Sequence, residues 1–334
     1  MHKIILLTRL LTRIIVNSAG IKILLIILIF MLGCSDRSLF TDPGDPNLGG
    51  VFTTINGDLS GTLLKSKSPY LVSEKISVPA GITLTIEPGT LIFFKPTAGF
   101  FISGGIRAIG TKEQPIVLQG FGNSWVGIHS ENPTDSLIFN YCNIEEIYLP
   151  VESEFDYGGV EISNAKVIFR NCYFYFNYAQ YGGALSISYC NSEIINSIFF
   201  ENESVDYGGA ILSQNSSSKI INNTFYKNIC SNFGSALSIV DPVDEDIQNN
   251  IFFDNFSFRN IPPIFLVSGD STNILEQYNY LDPDSLTPHF ISTSDFHLQQ
   301  NSPCINAGNP SPEFNDWNGS RNDQGAYGGR GGNW

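Results

Sequence analysis

The chain has 334 residues and is acidic, with a formal net charge of −14 and only 15% charged residues. That balance argues against a nucleic-acid partner, because phosphate binding needs a basic face. Asn, Ser, Gly, Phe, Tyr and Ile abound while strong helix formers are scarce, which points to an all-β fold.

The first 33 residues carry four basic side chains, Lys3, Arg9, Arg13 and Lys22, and no acidic one. An apolar run over residues 23–32 follows and ends in "MLGCSDRS". The run is short for a membrane-spanning helix, which needs ~20 residues, and it reads as a targeting segment. A small residue directly before a cysteine, at the end of an apolar core, resembles the bacterial lipobox. The resemblance implies cleavage after Gly33, lipid on Cys34, and a membrane partner through that anchor. Ser35 behind the cysteine implies the outer membrane under the enterobacterial sorting rule. An ordinary secretory signal or a single membrane helix would share the same apolar run. Residues 34–56 are Pro-, Gly- and Asp-rich without periodicity and read as a flexible tether.

Residues 68–120 alternate short strands with Gly and Pro turns, as in "LTIEPGT", "GGIRAIGT" and "PIVLQG". The centre of the chain then repeats itself. "NCYFYFN", "NSIFFEN", "NTFYKN" and "NNIFFDN" close on Asn177, Asn202, Asn228 and Asn255, spaced 25, 26 and 27. Tyr157, Tyr181, Tyr207 and Phe233 open "YGGV", "YGGA", "YGGA" and "FGSA", spaced 24, 26 and 26. Two independent motifs with one period predict a solenoid. The segments lack a helical stripe, and their short β-branched and aromatic runs predict one parallel β-helix coil per repeat. Asparagines at the turns should form a ladder, Asn177–Asn202–Asn228–Asn255, with amides bonded along the stack. Cys142, Cys172, Ile198, Thr224 and Ile251 read as an inward column. A Cys142–Cys172 bridge has the right spacing across adjacent coils but poor side-chain direction. The five cysteines beyond Cys34 form no disulfide framework or zinc pattern.

The opening pattern resembles bacterial right-handed parallel β-helix proteins of the pectin-lyase-like superfamily. The GGA and FxxN repeats (Phe174/Asn177, Phe199/Asn202, Phe225/Asn228, Phe252/Asn255) resemble those of chlamydial polymorphic outer-membrane proteins. The ending "FHLQQNSPCINAGNP…DWNGSRNDQGAYGG" resembles the closing segment of β-helix surface proteins. The expected fold is therefore an all-β, right-handed, single-stranded parallel β-helix. About nine coils are expected over residues 57–300, ~45 Å long, with a capping segment over 301–334.

Function is less determined, because this fold hosts lyases, hydrolases, adhesins and stalks. The acid clusters that the superfamily's polyuronide enzymes use have no counterpart motif here. Asp156 and Asp206 stand two coils apart, about 9.6 Å, with Gln180 between them and Asn232 beyond. They are weak candidates for a Ca²⁺ site, and turn propensity alone explains the column. Asp316, Asn318, Gly319 and Asp323 in "NDWNGSRND" lack Ca²⁺-loop spacing. They read as a capping loop, with Arg321 paired to an Asp. No other cofactor is implied. The remaining site signal is aromatic. Tyr157, Tyr181, Tyr207 and Phe233 form one column, and Tyr175, Phe200 and Tyr226 form another. Whichever faces outward is a candidate carbohydrate-stacking ladder. The expectation is a non-catalytic surface lipoprotein that binds polysaccharide or another surface protein. A polysaccharide lyase or glycoside hydrolase and a passive spacer are the alternatives. Repetition makes a dedicated anion nest at Gly182–Gly183 implausible.

Overall fold

Short extended runs broken by single left-handed residues dictate the path of the chain. This computed structural model describes residues 51–122, 124–149, 158–282 and 287–334. One coil shows the plan. Strands Leu185–Ser188, Asn191–Ile195, Ile198–Phe200 and Glu203–Tyr207 follow one another, and they build faces one to four. At the corners stand Tyr189, Asn196, Glu201 and Gly208, with φ of 54°, 51°, 51° and 58°. A left-handed residue between extended neighbours bends the chain, and outside glycine it costs roughly 1–2 kcal/mol. The same corners recur at Asn164, Asn171, Phe176 and Gly182, and at Asn215, Asn222, Lys227 and Gly234.

Each strand pairs in parallel with its counterpart one turn on. Leu185 meets Ile211, Ser192 meets Ser218, Phe199 meets Phe225 and Glu203 meets Ile229. On face two, nine strands of the described residues stack from Thr62–Leu63 to Ile274–Gln277. Nine strands make eight turns, so the stack is about 38 Å long at ~4.8 Å per strand. The molecule is a right-handed parallel β-helix, and the helices among the described residues are three-residue 3-10 turns. Pairing begins at Thr53, inside the stretch read as tether, and runs to Leu281.

Phe174, Phe199, Phe225 and Phe252 are fully buried and stack at 4.6, 4.9 and 4.5 Å between centroids. Beside them runs the asparagine ladder. Asn177 Nδ2 donates to Asn202 Oδ1 at 2.9 Å, Asn202 Nδ2 to Asn228 Oδ1 at 3.0 Å, and Asn228 Nδ2 to Asn255 Oδ1 at 2.9 Å. The second proton of Asn202 Nδ2 goes back to Phe174 O, and Asn202 Oδ1 also accepts the Asn177 backbone N–H. An amide offers two donors and two acceptor lone pairs, so the Asn202 side chain is saturated. The left-handed backbone belongs to the residue before each ladder asparagine, Phe176, Glu201, Lys227 and Asp254, and not to the asparagine itself. A second ladder, Asn223–Asn250–Asn279, repeats the pattern at the corner between faces two and three, with amide bonds of 3.0 and 2.9 Å.

The expected inward column of Cys142, Cys172, Ile198, Thr224 and Ile251 mixes two columns. The register pairs Tyr173, not Cys172, with Ile198, and Ile198 with Thr224 and Ile251 in turn. A one-residue slip exchanges faces. Cys172 is level with Ser197, whose Oγ accepts its N–H at 3.2 Å. Thr224 and Ile251 lie on the outer surface of face three and are buried there by the end of the chain: Ala326 N–H donates to Thr224 Oγ1, and Ile251 packs with Cys304. All five described cysteines are free and buried, so no bridge joins Cys142 to Cys172.

Among the polar residues that face the core is one carboxyl. Glu245 is fully buried, and its Oε1 accepts from Ser213 Oγ at 2.6 Å and Ser218 Oγ at 3.2 Å. Burial pushes its carboxyl from 4.5 up to about 8, against the lowering effect of the two serine hydroxyls. Between those values Glu245 is protonated in the fold and ionised in the unfolded chain. Its stabilising effect is therefore complete below about pH 4.5 and declines as pH rises toward 8, at up to ~1.4 kcal/mol per pH unit. Urea denaturation between about pH 5 and 8 should show this decline, and Glu245→Gln should flatten it. Equal slopes in the two proteins would refute the assignment.

Candidate functional site

The corner between faces four and one carries the first candidate surface. Tyr181, Tyr207, Phe233 and Phe265 are half-buried and stack in order at 5.7, 5.4 and 5.6 Å between centroids, with planes within 21°. These separations correspond to offset stacking, so the rings overlap like tiles. Phe265 stacks on the last of these rings from the face-one strand of the next coil, where it is the register partner of Ser238, and the Arg259 guanidinium lies 5.2 Å from the Phe233 ring. The glycine after each of the first three rings has φ of 52°, 58° and 63° at Gly182, Gly208 and Gly234. A Cβ at Gly208 would stand 1.8 Å from Ile211 O. The Gly182 and Gly183 N–H groups donate to Tyr207 O and Gly208 O of the next coil. Those donors are committed to the stack and form no anion nest.

Alongside the rings runs a polar column. The Asp206 carboxylate accepts from Gln180 Nε2 on one side and Asn232 Nδ2 on the other. Its oxygens are engaged by amides of both neighbouring coils, which is the geometry of a turn ladder. Asp156, its expected partner for Ca²⁺, lies outside the described residues, as do Tyr157 and Cys34.

The second aromatic column is not open. Tyr175, Phe200, Tyr226 and Phe253 stack along the outside of face three at 5.2, 5.5 and 5.9 Å. The end of the chain turns back and lies over Phe200, Tyr226 and Phe253, while Tyr175 at the head of the column stays half-buried. Phe296 meets Phe200 and Tyr226 edge-on at 5.3 and 5.5 Å, and Phe290 meets Tyr226 and Phe253. Period-two alternation places this column outside but does not reveal what covers it. Phe200 and Tyr226 are thereby buried, which removes them as a sugar platform.

Corner asparagines hold this returning segment. Asn171 Nδ2 donates to Gly331 O, Asn196 Nδ2 to Ala326 O and Gly328 O, and Asn222 Nδ2 to Asp323 O, while Asn249 Oδ1 accepts Asn309 N–H. Asp316 organises the segment itself, with Oδ1 accepting the Gly329 N–H at 2.6 Å and the Asp323 N–H at 3.1 Å. Arg321 donates to Gly308 O at 2.9 and 2.7 Å instead of pairing with an Asp. The segment thus runs back across four coils. Among the described residues, no group of three or more His, Cys, Asp or Glu side chains gathers as a metal site.

Two further polar spots stand out. His129 lies on face one with its ring stacked on Phe101 at 5.1 Å; Nε2 is 2.6 Å from Val126 O and Nδ1 3.3 Å from Glu161 Oε2. The other is on face three, before the first aromatic coil, at Gln119, Asn143, Glu145 and Glu146. Gln119 Nε2 donates to Glu146 Oε2 at 3.3 Å. Burial, then the charge of Glu146, pushes the Glu145 carboxyl well above the ordinary carboxylate range. Tyr173 is likewise raised, by burial first and then by neighbours that include Tyr327 and Glu145. These residues precede the clear repeats and carry no motif. The adjacent pair in "CNIEEIY" was the available signal.

A family model described as a right-handed beta helix region matches residues 122–279. Protein bark beetle of Drosophila melanogaster is 47% identical over 62 residues. That stretch is 19% of this chain, and the chain spans about 2% of the length of that relative. The crystal structure of pectate lyase Pel9A aligns over 84% of this chain and 89% of its own, at 16% identity and a TM-score of 0.41.

The corner glycines make the sharpest local test. Gly208→Ala combines left-handed strain with a clash against Ile211 O, so it should destabilise the fold by about 2–3 kcal/mol. An unchanged urea midpoint would show that the corner can relax.

Proposed function

We propose that the chain is a non-catalytic binding module, held at a bacterial cell surface by lipid on Cys34, with the Tyr181–Tyr207–Phe233–Phe265 ladder as its ligand-binding surface. One observation carries this reading: three half-buried aromatic rings repeat at the coil spacing, with Phe265 stacked on the last, beside the polar column Gln180–Asp206–Asn232. Tiled rings leave part of each face and an edge to solvent, which suits the C–H faces of sugar rings, and the amides next to them supply hydrogen bonds. A ligand with its own repeating unit, a polysaccharide chain, fits a surface that repeats. The carboxylate in that column is occupied by amides of both neighbours, which favours holding over cleaving.

The purified chain, tested on a glycan array and by calorimetry against the best hit, should lose about tenfold in affinity on Tyr207→Ala, or ~1.4 kcal/mol. A blank array would leave the spacer role, and release of reducing ends from the hit would overturn the non-catalytic reading. The anchor has its own test. Fatty-acid labelling of the expressed protein should vanish in Cys34→Ser, and label that persists in this variant would exclude Cys34 as the lipid site.

A further inference from the structure

The aromatic column on the outside of face three ends without a successor. Its last ring is Phe253, parallel to Tyr226 within 5° at 5.9 Å. In the next turn, strand Tyr280–Leu281 pairs with Ile251 and Phe252. The residue that follows is Asp282, which is exposed and accepts the Asp254 N–H at 3.3 Å. No ring continues the stack, and Phe253 stays half-buried whereas Phe200 and Tyr226 behind it are covered.

A cleft of about 500 Å³ opens at this point, between the end of the column and the returning segment. That volume lies within the ~300–1,000 Å³ of small-molecule sites. Tyr226 and Phe253 line it from the strands, and the half-buried Phe290 lines it from the returning segment, edge-on to the two rings at 5.8 and 6.4 Å. Its rim is polar. Thr287, Thr293 and Asn301 are exposed there, and among the described residues their side chains make no hydrogen bond. Two hydroxyls and one amide therefore keep their donors and acceptors for a ligand. The lining has no Asp, Glu, Lys or Arg, and Nδ1 of His289, the one imidazole there, is sealed off. A charged ligand would meet no counter-charge and would lose hydration on entering.

We propose that this cleft binds one uncharged sugar ring, which lies on Phe253 as the next member of the column. A sugar ring has apolar C–H faces and a hydroxylated edge. The faces suit Phe253 and Phe290, and the edge suits the rim at Thr287, Thr293 and Asn301. A flat aromatic ligand could stack as well, but it would leave the rim unused. The site lies on face three, apart from the Tyr181–Tyr207–Phe233 ladder at the corner between faces four and one, and does not depend on it.

The test uses the purified chain and the methyl glycosides of glucose, galactose, mannose and N-acetylglucosamine, read by saturation-transfer NMR and calorimetry. At least one should bind with a Kd of about 1 mM or tighter. Phe253→Leu keeps apolar bulk but removes the ring, and should weaken binding about tenfold or more. Thr293→Trp fills the cleft from its exposed rim and should abolish binding, with the melting temperature within about 2 °C of the parent. Tyr207→Ala, which strikes the ladder, should keep this binding. The proposal fails if none of the glycosides binds at ~10 mM, or if binding survives both Phe253→Leu and Thr293→Trp. Binding lost in Tyr207→Ala would assign the sugar to the ladder and overturn this site. A methyl glucuronide that binds more tightly than the glucoside would overturn the uncharged ligand.

Discussion

The amide-to-amide hydrogen bond between asparagines of successive turns is the contact on which the rest of the structure depends. A parallel β-helix must hold each strand level with its copy one turn on, and a slip of one residue would carry every side chain to the opposite face. Asn202 meets this demand with all four of its hydrogen-bonding positions, two along the ladder and two on backbone groups of the preceding coil. Because the ladder asparagine follows directly on the left-handed corner residue, the bond fixes the corner as well as the register. The phenylalanine three positions earlier is then delivered to the same height in each turn, where the rings stack at 4.5 to 4.9 Å. Corner, register and core are consequences of one repeated side chain.

What repeats was legible in the sequence. Residues that must match their neighbours above and below leave a period of about 26, and the spacing of Asn177, Asn202, Asn228 and Asn255 reveals it directly. The column of Cys172 was misassigned because its coil departs from the others at that position. A cysteine stands in the column that Ser197 and then the second ladder, Asn223, Asn250 and Asn279, occupy in later turns, and small apolar character favoured the wrong alignment by one residue. The burial of Phe200 and Tyr226 was illegible for a different reason. Alternation reports which side of a strand a residue takes, whereas burial of that side depends on Phe290 and Phe296, from a segment with no periodicity.

The same contrast separates the aromatic ladder from the polar island on the earlier coils. The ladder at Tyr181, Tyr207 and Phe233 inherits its geometry from the repeat, so its spacing is set by the backbone and its chemistry is much the same at each step. The island at Gln119, Asn143 and Glu145 occurs once, on coils that precede the regular motif. There polar residues occupy positions that become aromatic in later turns, Glu145 in the column of Tyr175 and Asn143 in that of Tyr173. Identical coils satisfy each other's hydrogen bonds, and a coil that differs from both neighbours leaves some of its polar atoms unmet.

The returning segment has a consequence for how this solenoid can evolve. Repeat proteins usually gain or lose units with little penalty, because each unit contacts only its neighbours. Here Asn171, Asn196, Asn222 and Asn249, one per coil, each grip a different point of the same non-repeating stretch between Asn309 and Gly331. An added or deleted coil within that span would set the clasps out of step with the strap. The chain therefore carries its own ruler, and drift in repeat number is confined to the coils that the strap does not reach.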